Sequence, residues 1–257
     1  MIRNISFPTP AIRTRSVSRL LAAVVLVGTV ASCAAPNGKQ FNDPYEAQNR
    51  ANHAANIALD AALVRPASQA YGAVLPAPVR SGVGNFASNL SLPSYVLNDL
   101  LQLKVADAGA NTLRFAFNTI FGIGGIFDPA GALGLHEKRN DFGETLYVWG
   151  VREGAYIEAP LLGPTTERDL VGKVVDVLAD PVGLAVPSKL RYVPTGMEIA
   201  SKLGERYKFT GTFDSILHDS ADSYAQERLL FLEKRHYDLG QKSPSATYDP
   251  YEDPYGK

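Results

Sequence analysis

The chain has 257 residues, 46% of them hydrophobic and 20% charged, a profile that suits a folded chain with a sizeable core and excludes wholesale disorder. Its 25 Lys and Arg balance 26 Asp and Glu, a formal net charge of -1, so no global field draws it to nucleic acid and no nucleic-acid partner is expected. One cysteine, Cys33, excludes an intramolecular disulfide and a thiolate zinc cluster.

Residues 1–32 carry no acidic side chain but include Arg3, Arg13, Arg15 and Arg19, followed by the apolar run Leu20 to Val27, the layout of a secretory signal. A spanning helix needs about 20 apolar residues, and Gly28, Thr29 and Ser32 end this run early. Val30-Ala31-Ser32-Cys33 resembles the lipobox of bacterial lipoproteins, which implies cleavage before Cys33 and acylation of its thiol. Each buried CH₂ of such chains contributes about 0.8 kcal/mol to anchoring. The alternative is ordinary cleavage nearby and release of a soluble protein. In lipoprotein families an Asp after the cysteine tends to mark inner-membrane retention, so Ala34 points to the outer membrane.

Residues 33–41 read as a short polar tether containing Pro36, Asn37 and Gly38, and the folded body as residues 42–240. The body reads as mainly α. Glu46 to Val64 is alanine-rich and free of Gly and Pro, predicting a helix that ends before Pro66. Past Pro76 and Pro78, a second helix is predicted over Ser81 to Leu90 and a third over Ser94 to Leu103. The third is apolar around most of its surface, with a narrow polar stripe at Asn98, Asp99 and Gln102, so it is buried or sits in lipid.

Val105 to Phe121 is polar at Asp107, Asn111, Arg114 and Asn118 and apolar at Leu113, Phe115, Phe117, Ile120 and Phe121. It runs into Gly122-Ile123-Gly124-Gly125-Ile126-Phe127, which is too short to cross a bilayer and fits either tight core packing or a hairpin dipping into one leaflet. Gly122, Gly124 and Gly125 permit a tight turn there that Asp128 caps or orients, with close helix packing as the competing reading. Tyr147, Val148, Trp149, Val151, Tyr156 and Ile157 predict an extended stretch and at most a short β-hairpin. Thr166 suits the cap of a helix from Glu167 to Leu178, and Thr195 with Glu198 a capping box for another. A last helix is capped by Asp219 or Ser220, carries Lys234, Arg235 and His236 at its negative end, and closes at Gly240. Residues 241–257 are rich in Pro, Ser, Tyr and Asp and read as a disordered tail.

No catalytic constellation emerges. His53, His136, His218 and His236 make no H-E-x-x-H or other close ligand spacing, and neither a G-x-S-x-G elbow nor a P-loop is present. G-x-G-x-x-G would need glycine where Phe127 stands.

Asn-Asp-Pro-Tyr-Glu-Ala-Gln-Asn-Arg from Asn42, Val64-Arg65-Pro66, Val83-Gly84-Asn85-Phe86, Arg114-Phe115, Gly122 to Asp128, Asp141-Phe142-Gly143-Glu144-Thr145-Leu146 and Gly163-Pro164 follow one another over Asn42 to Pro181. This succession resembles the MlaA (VacJ) family of outer-membrane phospholipid-transport lipoproteins, although Gln48, Ala55 and Tyr147 depart from its usual residues. The resemblance implies a ring-like helical domain with an amphipathic central channel, seated in the inner leaflet of the outer membrane. It also implies removal of misplaced outer-leaflet phospholipid, two partners (a trimeric porin and a soluble periplasmic lipid carrier), and neither cofactor nor catalysis. On that basis Leu113, Phe115, Phe117, Ile120, Phe121, Ile126 and Phe127 are expected in the lipid passage or the membrane. The alternative is a structural envelope lipoprotein without transport activity.

Overall fold

The computed structural model describes residues 41–190 and 192–241. The predicted signal segment 1–32, the anchor Cys33, residues 34–40 of the tether and residues 242–257 of the tail lie outside them. Among the described residues the regular structure is helical apart from one two-stranded hairpin, in agreement with the mainly α expectation.

Helix α1 (Glu46–Leu59) opens the body, but the chain does not leave the helix before Pro66. A five-residue π turn, Asp60–Val64, joins it to α2 (Arg65–Val74). The Arg65 N–H reaches back to the Asp60 carbonyl, and this wider turn resets the hydrogen-bond register just before Pro66. In a regular helix the proline ring would press on the carbonyl four residues earlier. The two helices predicted over Ser81–Leu90 and Ser94–Leu103 are one, α3 (Ala77–Leu101), 25 residues long and running through Pro93. Proline inside an isolated helix costs about 3 kcal/mol. Here the extensive packing of α3 on α4 (Val105–Phe121) outweighs that local preference.

Asp128 caps the short α5 (Pro129–Ala132), and Asp141 caps α6 (Phe142–Val148) by accepting the Glu144 N–H. That cap corrects the extended reading of Tyr147 and Val148, which end a helix, with Trp149 at its C-cap. The hairpin comes later in the chain. Strand β1 (Tyr156–Ala159) pairs antiparallel with β2 (Gly163–Thr166), Tyr156 opposite Thr166. Thr166 then caps α7 (Glu167–Ala179) as its type predicts, accepting the Asp169 N–H, and Asp180 caps α8 (Pro181–Ala185).

Helix α9 (Val193–Lys208) starts at Tyr192 without a side-chain cap, so the Thr195–Glu198 capping box does not form. Pro194 in its first turn tolerates the missing N–H and moves the start ahead of Thr195. After α10 (Thr210–Leu217), α11 (Ser223–Asp238) is capped by Asp222 rather than by Asp219 or Ser220. Gly240 closes it at φ +66, as expected.

Tyr156, Tyr224 and Leu232 form a small apolar core under α11, with Phe41 and Phe231 packed on it. Most other large buried side chains are polar, and that inversion governs the candidate site.

Candidate lipid-contacting site

Helix α4 presents its polar side inward. Asn111, Arg114 and Asn118 are buried, whereas Leu113, Ile120 and Phe121 stand 64%, 70% and 64% exposed. Phe115 and Phe117 lie half-buried between the two faces, and the Phe117 ring rests 4.6 Å from that of Phe121. A helix of a water-soluble core shows the opposite arrangement. Leu100, Leu101, Leu103 and Val105, around the junction of α3 and α4, are exposed as well. Among the described residues no helix is long and apolar enough to cross a membrane.

The inward polar faces bond to one another in a connected network that leaves Gln102 Oε1 and Arg114 Nε unpaired among the described residues. Asp99 accepts hydrogen bonds from Asn111 at 2.7 Å and from Asn140 at 2.6 Å. Gln102 donates to Asn140 at 2.7 Å and to the Thr145 hydroxyl at 2.8 Å, Thr145 donates to Asn98 at 2.9 Å, and Asn98 donates to Asp176 at 2.9 Å. Burial pushes the Asp176 carboxyl up from its ordinary value, against the hydrogen bonds from Asn98 and the Phe142 N–H. A small pocket of about 40 Å³ beside Asn98 and Asp176 is lined by Leu97, Leu101, Phe142 and Val175. Whole small-molecule sites run about 300–1,000 Å³, so it does not enclose a phospholipid.

Residues 122–127 fold into a tight turn at the end of α4. The Gly122 carbonyl accepts the N–H groups of Gly125 at 3.2 Å and Phe127 at 2.9 Å. Ile123, Gly124 and Gly125 have φ of +54, +70 and +98. A left-handed conformation is foreign to a β-branched residue such as Ile123, whose side chain is thrust outward and exposed. Leu103 and Leu161 do the same at two other turns, each with positive φ and an exposed side chain. The turn is pinned to α3 by Asn89, which donates to the Thr119 hydroxyl at 3.1 Å and to the Gly124 carbonyl at 3.3 Å.

Asp128 follows and joins the turn to the buried stripe of α4. One carboxylate oxygen accepts Asn118 at 2.9 Å and the Gly131 N–H at 3.0 Å, and the other accepts Arg114 at 2.6 Å. Burial opposes ionisation of Asp128, but these three donors together hold its carboxyl below the ordinary range.

The residues singled out by sequence thus fall into two groups. Leu113, Ile120, Phe121, Ile126 and Phe127 are exposed on α4 and the turn that follows it, with Phe115 and Phe117 at their edge. Gly122, Gly124, Gly125 and Asp128 form or brace the turn. Sequence reasoning missed Asn89, Asn140, Thr145 and Asp176 as members of the polar interior, and nothing in their local spacing marks them.

A family model described as MlaA lipoprotein matches residues 41–238. The intermembrane phospholipid transport system lipoprotein MlaA of Shigella flexneri is 31% identical over 223 residues, covering 84% of this chain and 85% of that protein. An uncharacterized protein of Rickettsia felis is 33% identical over 190 residues, covering 72% and 73%. A solved structure reported under "Structural basis for maintenance of bacterial outer membrane lipid asymmetry" matches with a TM-score of 0.65 at 28% identity, covering 77% of this chain and 98% of that one.

Proposed function

The chain belongs to the MlaA lipoprotein family, and we propose that it removes mislocalised phospholipid from the outer leaflet of the outer membrane and passes it to a soluble periplasmic carrier. The supporting observation is the inverted α4, polar inward and apolar outward, continued by the exposed turn. Exposed Leu113, Ile120 and Phe121 suit contact with acyl chains or with the apolar belt of a trimeric porin. Buried Asn98, Asp99, Asn111 and Arg114 keep their polar groups inside the protein, which fixes the apolar side of α4 outward. In this reading the chain is a passage amid its helices, held at the periplasmic face by lipid on Cys33. No bond of the substrate is made or broken, so neither cofactor nor catalytic group is called for. A passage cannot shift an equilibrium by itself, and direction comes from the affinity or energy coupling of what receives the lipid.

Outer-leaflet phospholipid in cells lacking the protein tests the reading, with complementation by the intact chain or by Cys33→Ala. Accumulation that only the intact chain reverses supports anchor and transport together. Unchanged asymmetry in the deletion favours a structural envelope lipoprotein instead.

A second experiment isolates the apolar face. Ile120 and Phe121 are so exposed that Ile120→Lys/Phe121→Lys is expected to change stability in water by about 0.5 kcal/mol or less. Lysine at depth in a bilayer costs about 2.5–3.5 kcal/mol per residue. The double variant, made on the Cys33→Ala background, is therefore expected to lose at least tenfold in partitioning to phospholipid vesicles. Partitioning equal to that of the parent would remove this face from the membrane.

A further inference from the structure

Three ionisable side chains from distant parts of the sequence meet inside the body. They are His53 on α1, Glu158 on β1 and Glu227 on α11, and one ligating atom from each lies within 4.8 Å of the other two. His53 and Glu158 are buried, and the Glu227 side chain is only 24% exposed. His53 Nε2 sits 3.0 Å from the Ser223 hydroxyl, which fixes the ring. The other ring nitrogen, Nδ1, is 2.9 Å from Glu227 Oε2 and 3.9 Å from Glu158 Oε1, yet makes no aligned hydrogen bond with either. Glu158 is itself oriented: Oε2 accepts the Tyr156 hydroxyl at 2.8 Å and Oε1 accepts Asn56 at 2.7 Å.

We propose that His53 Nδ1, Glu158 and Glu227 form a binding site for one divalent metal ion of the zinc class. One imidazole and two carboxylates are a donor set that Zn²⁺ accepts, at about 2.0–2.2 Å from each ligand. Tetrahedral ligands at that radius stand about 3.3–3.6 Å from one another. The 2.9 and 3.9 Å from Nδ1 bracket this and no pair of ligating atoms is more than 4.8 Å apart, so side-chain rotations bring the atoms to it. Charge points the same way. A proton on His53 cancels only one of the two carboxylate charges in this largely buried space, whereas a divalent ion cancels both. The nearby arginines are engaged elsewhere, Arg228 with Asp43 at 2.5 Å and Arg50 with Asp222 at 3.0 Å and Glu46 at 2.9 Å. The Ser223, Tyr156 and Asn56 contacts are the outer hydrogen bonds that orient metal ligands in general. Burial opposes a proton on His53, but Glu158 and Glu227 outweigh it and push the ring up to about 9, and an entering metal displaces that proton to solvent. The ion would clasp α1, the hairpin and α11 at one point.

The test uses the purified full-length protein stripped with a chelator and titrated with Zn²⁺, with Co²⁺ as the spectroscopic probe. Uptake of one Zn²⁺ per chain is expected, with a raised thermal midpoint that Glu227→Gln loses. Glu227→Gln keeps the side-chain size at a partly exposed position, so its metal-free midpoint is expected within a few degrees of the parent. Absence of stoichiometric uptake, or equal uptake by parent and Glu227→Gln, overturns the site. Co²⁺ in the parent protein decides the matter without any variant. Intense visible bands of a four- or five-coordinate ion support the site, and the weak spectrum of the hydrated ion overturns it.

Discussion

Gly122→Ala is expected to abolish rescue of outer-membrane lipid asymmetry, whereas Gly124→Ala is expected to retain most of it. A Cβ at residue 122 would lie 2.4 Å from the Asn118 carbonyl oxygen and 2.4 Å from the Phe127 carbonyl oxygen. Both are backbone atoms, so no side-chain rotation relieves the clash and the turn must open. Opening it strains the hydrogen bond from the Phe127 N–H to the Gly122 carbonyl, and through the next residue it disturbs Asp128, which braces Arg114 and Asn118. Overpacking of this kind costs about 3 kcal/mol at the upper end of its usual range. Residue 124 differs: its φ is +70, but the nearest atom to an added Cβ is Phe86 Cε2 at 4.0 Å. Alanine there bears only the left-handed backbone penalty, about 1–2 kcal/mol, which the neighbouring Ile123 already bears at φ +54. Thermal unfolding of the Cys33→Ala form and outer-leaflet phospholipid in complemented cells read the two consequences separately. Rescue by Gly122→Ala at the parental level would detach the turn from transport.

Much of this site was legible in the sequence because helical periodicity sorts residues onto faces whichever way those faces turn. Asn111, Arg114 and Asn118 recur along one side of α4, and Asn98, Asp99 and Gln102 along α3. Periodicity alone does not say which side is inside, and only the structure shows the polar side buried. Capping by Thr166 and closure by Gly240 were legible because each depends on a single residue and its immediate neighbours. Predictions failed where a tertiary contact overrode a local breaker. Pro93 lies inside α3 because α3 packs along α4, and Pro66 is accommodated by the π turn that precedes it. The His53–Glu158–Glu227 cluster had no sequence signal, since its members stand on three elements far apart in the chain.

Arg206→Met is expected to destabilise the fold by about 3–5 kcal/mol at neutral pH, the cost of leaving a buried charge without its partner. Arg206 holds Asp60 through two parallel hydrogen bonds at 3.0 and 2.9 Å and reaches Asp214 at 2.7 Å. Both members of the first pair are buried, and Asp60 opens the π turn that carries the chain past Pro66. In the variant, His218, 3.0 Å from Asp60, is the remaining contact on that carboxylate. Burial pushes the Asp60 carboxyl up, but the hydrogen bonds and charges of Arg206 and His218 outweigh it and hold the group below its ordinary 3.8. A lowered carboxylate contributes stability that is complete above its unfolded value and is lost as pH falls through the folded one. With Arg206 gone, its hydrogen bonds and charge no longer offset burial, only His218 does, and the folded value rises. The deficit of Arg206→Met relative to the parent is therefore expected to be largest at neutral pH and to shrink below about pH 4, where the parent loses this contribution and the variant does not. Asp60→Asn/Arg206→Met, which removes both charges, should recover a large part of the loss at pH 7 and show little of this pH dependence. Denaturant unfolding of the three proteins at pH 7 and pH 3.5 measures both effects. A deficit equal at the two pH values would mean that Arg206 stabilises the π turn by packing against Phe213, over whose ring its guanidinium lies at 5.1 Å, rather than by charge.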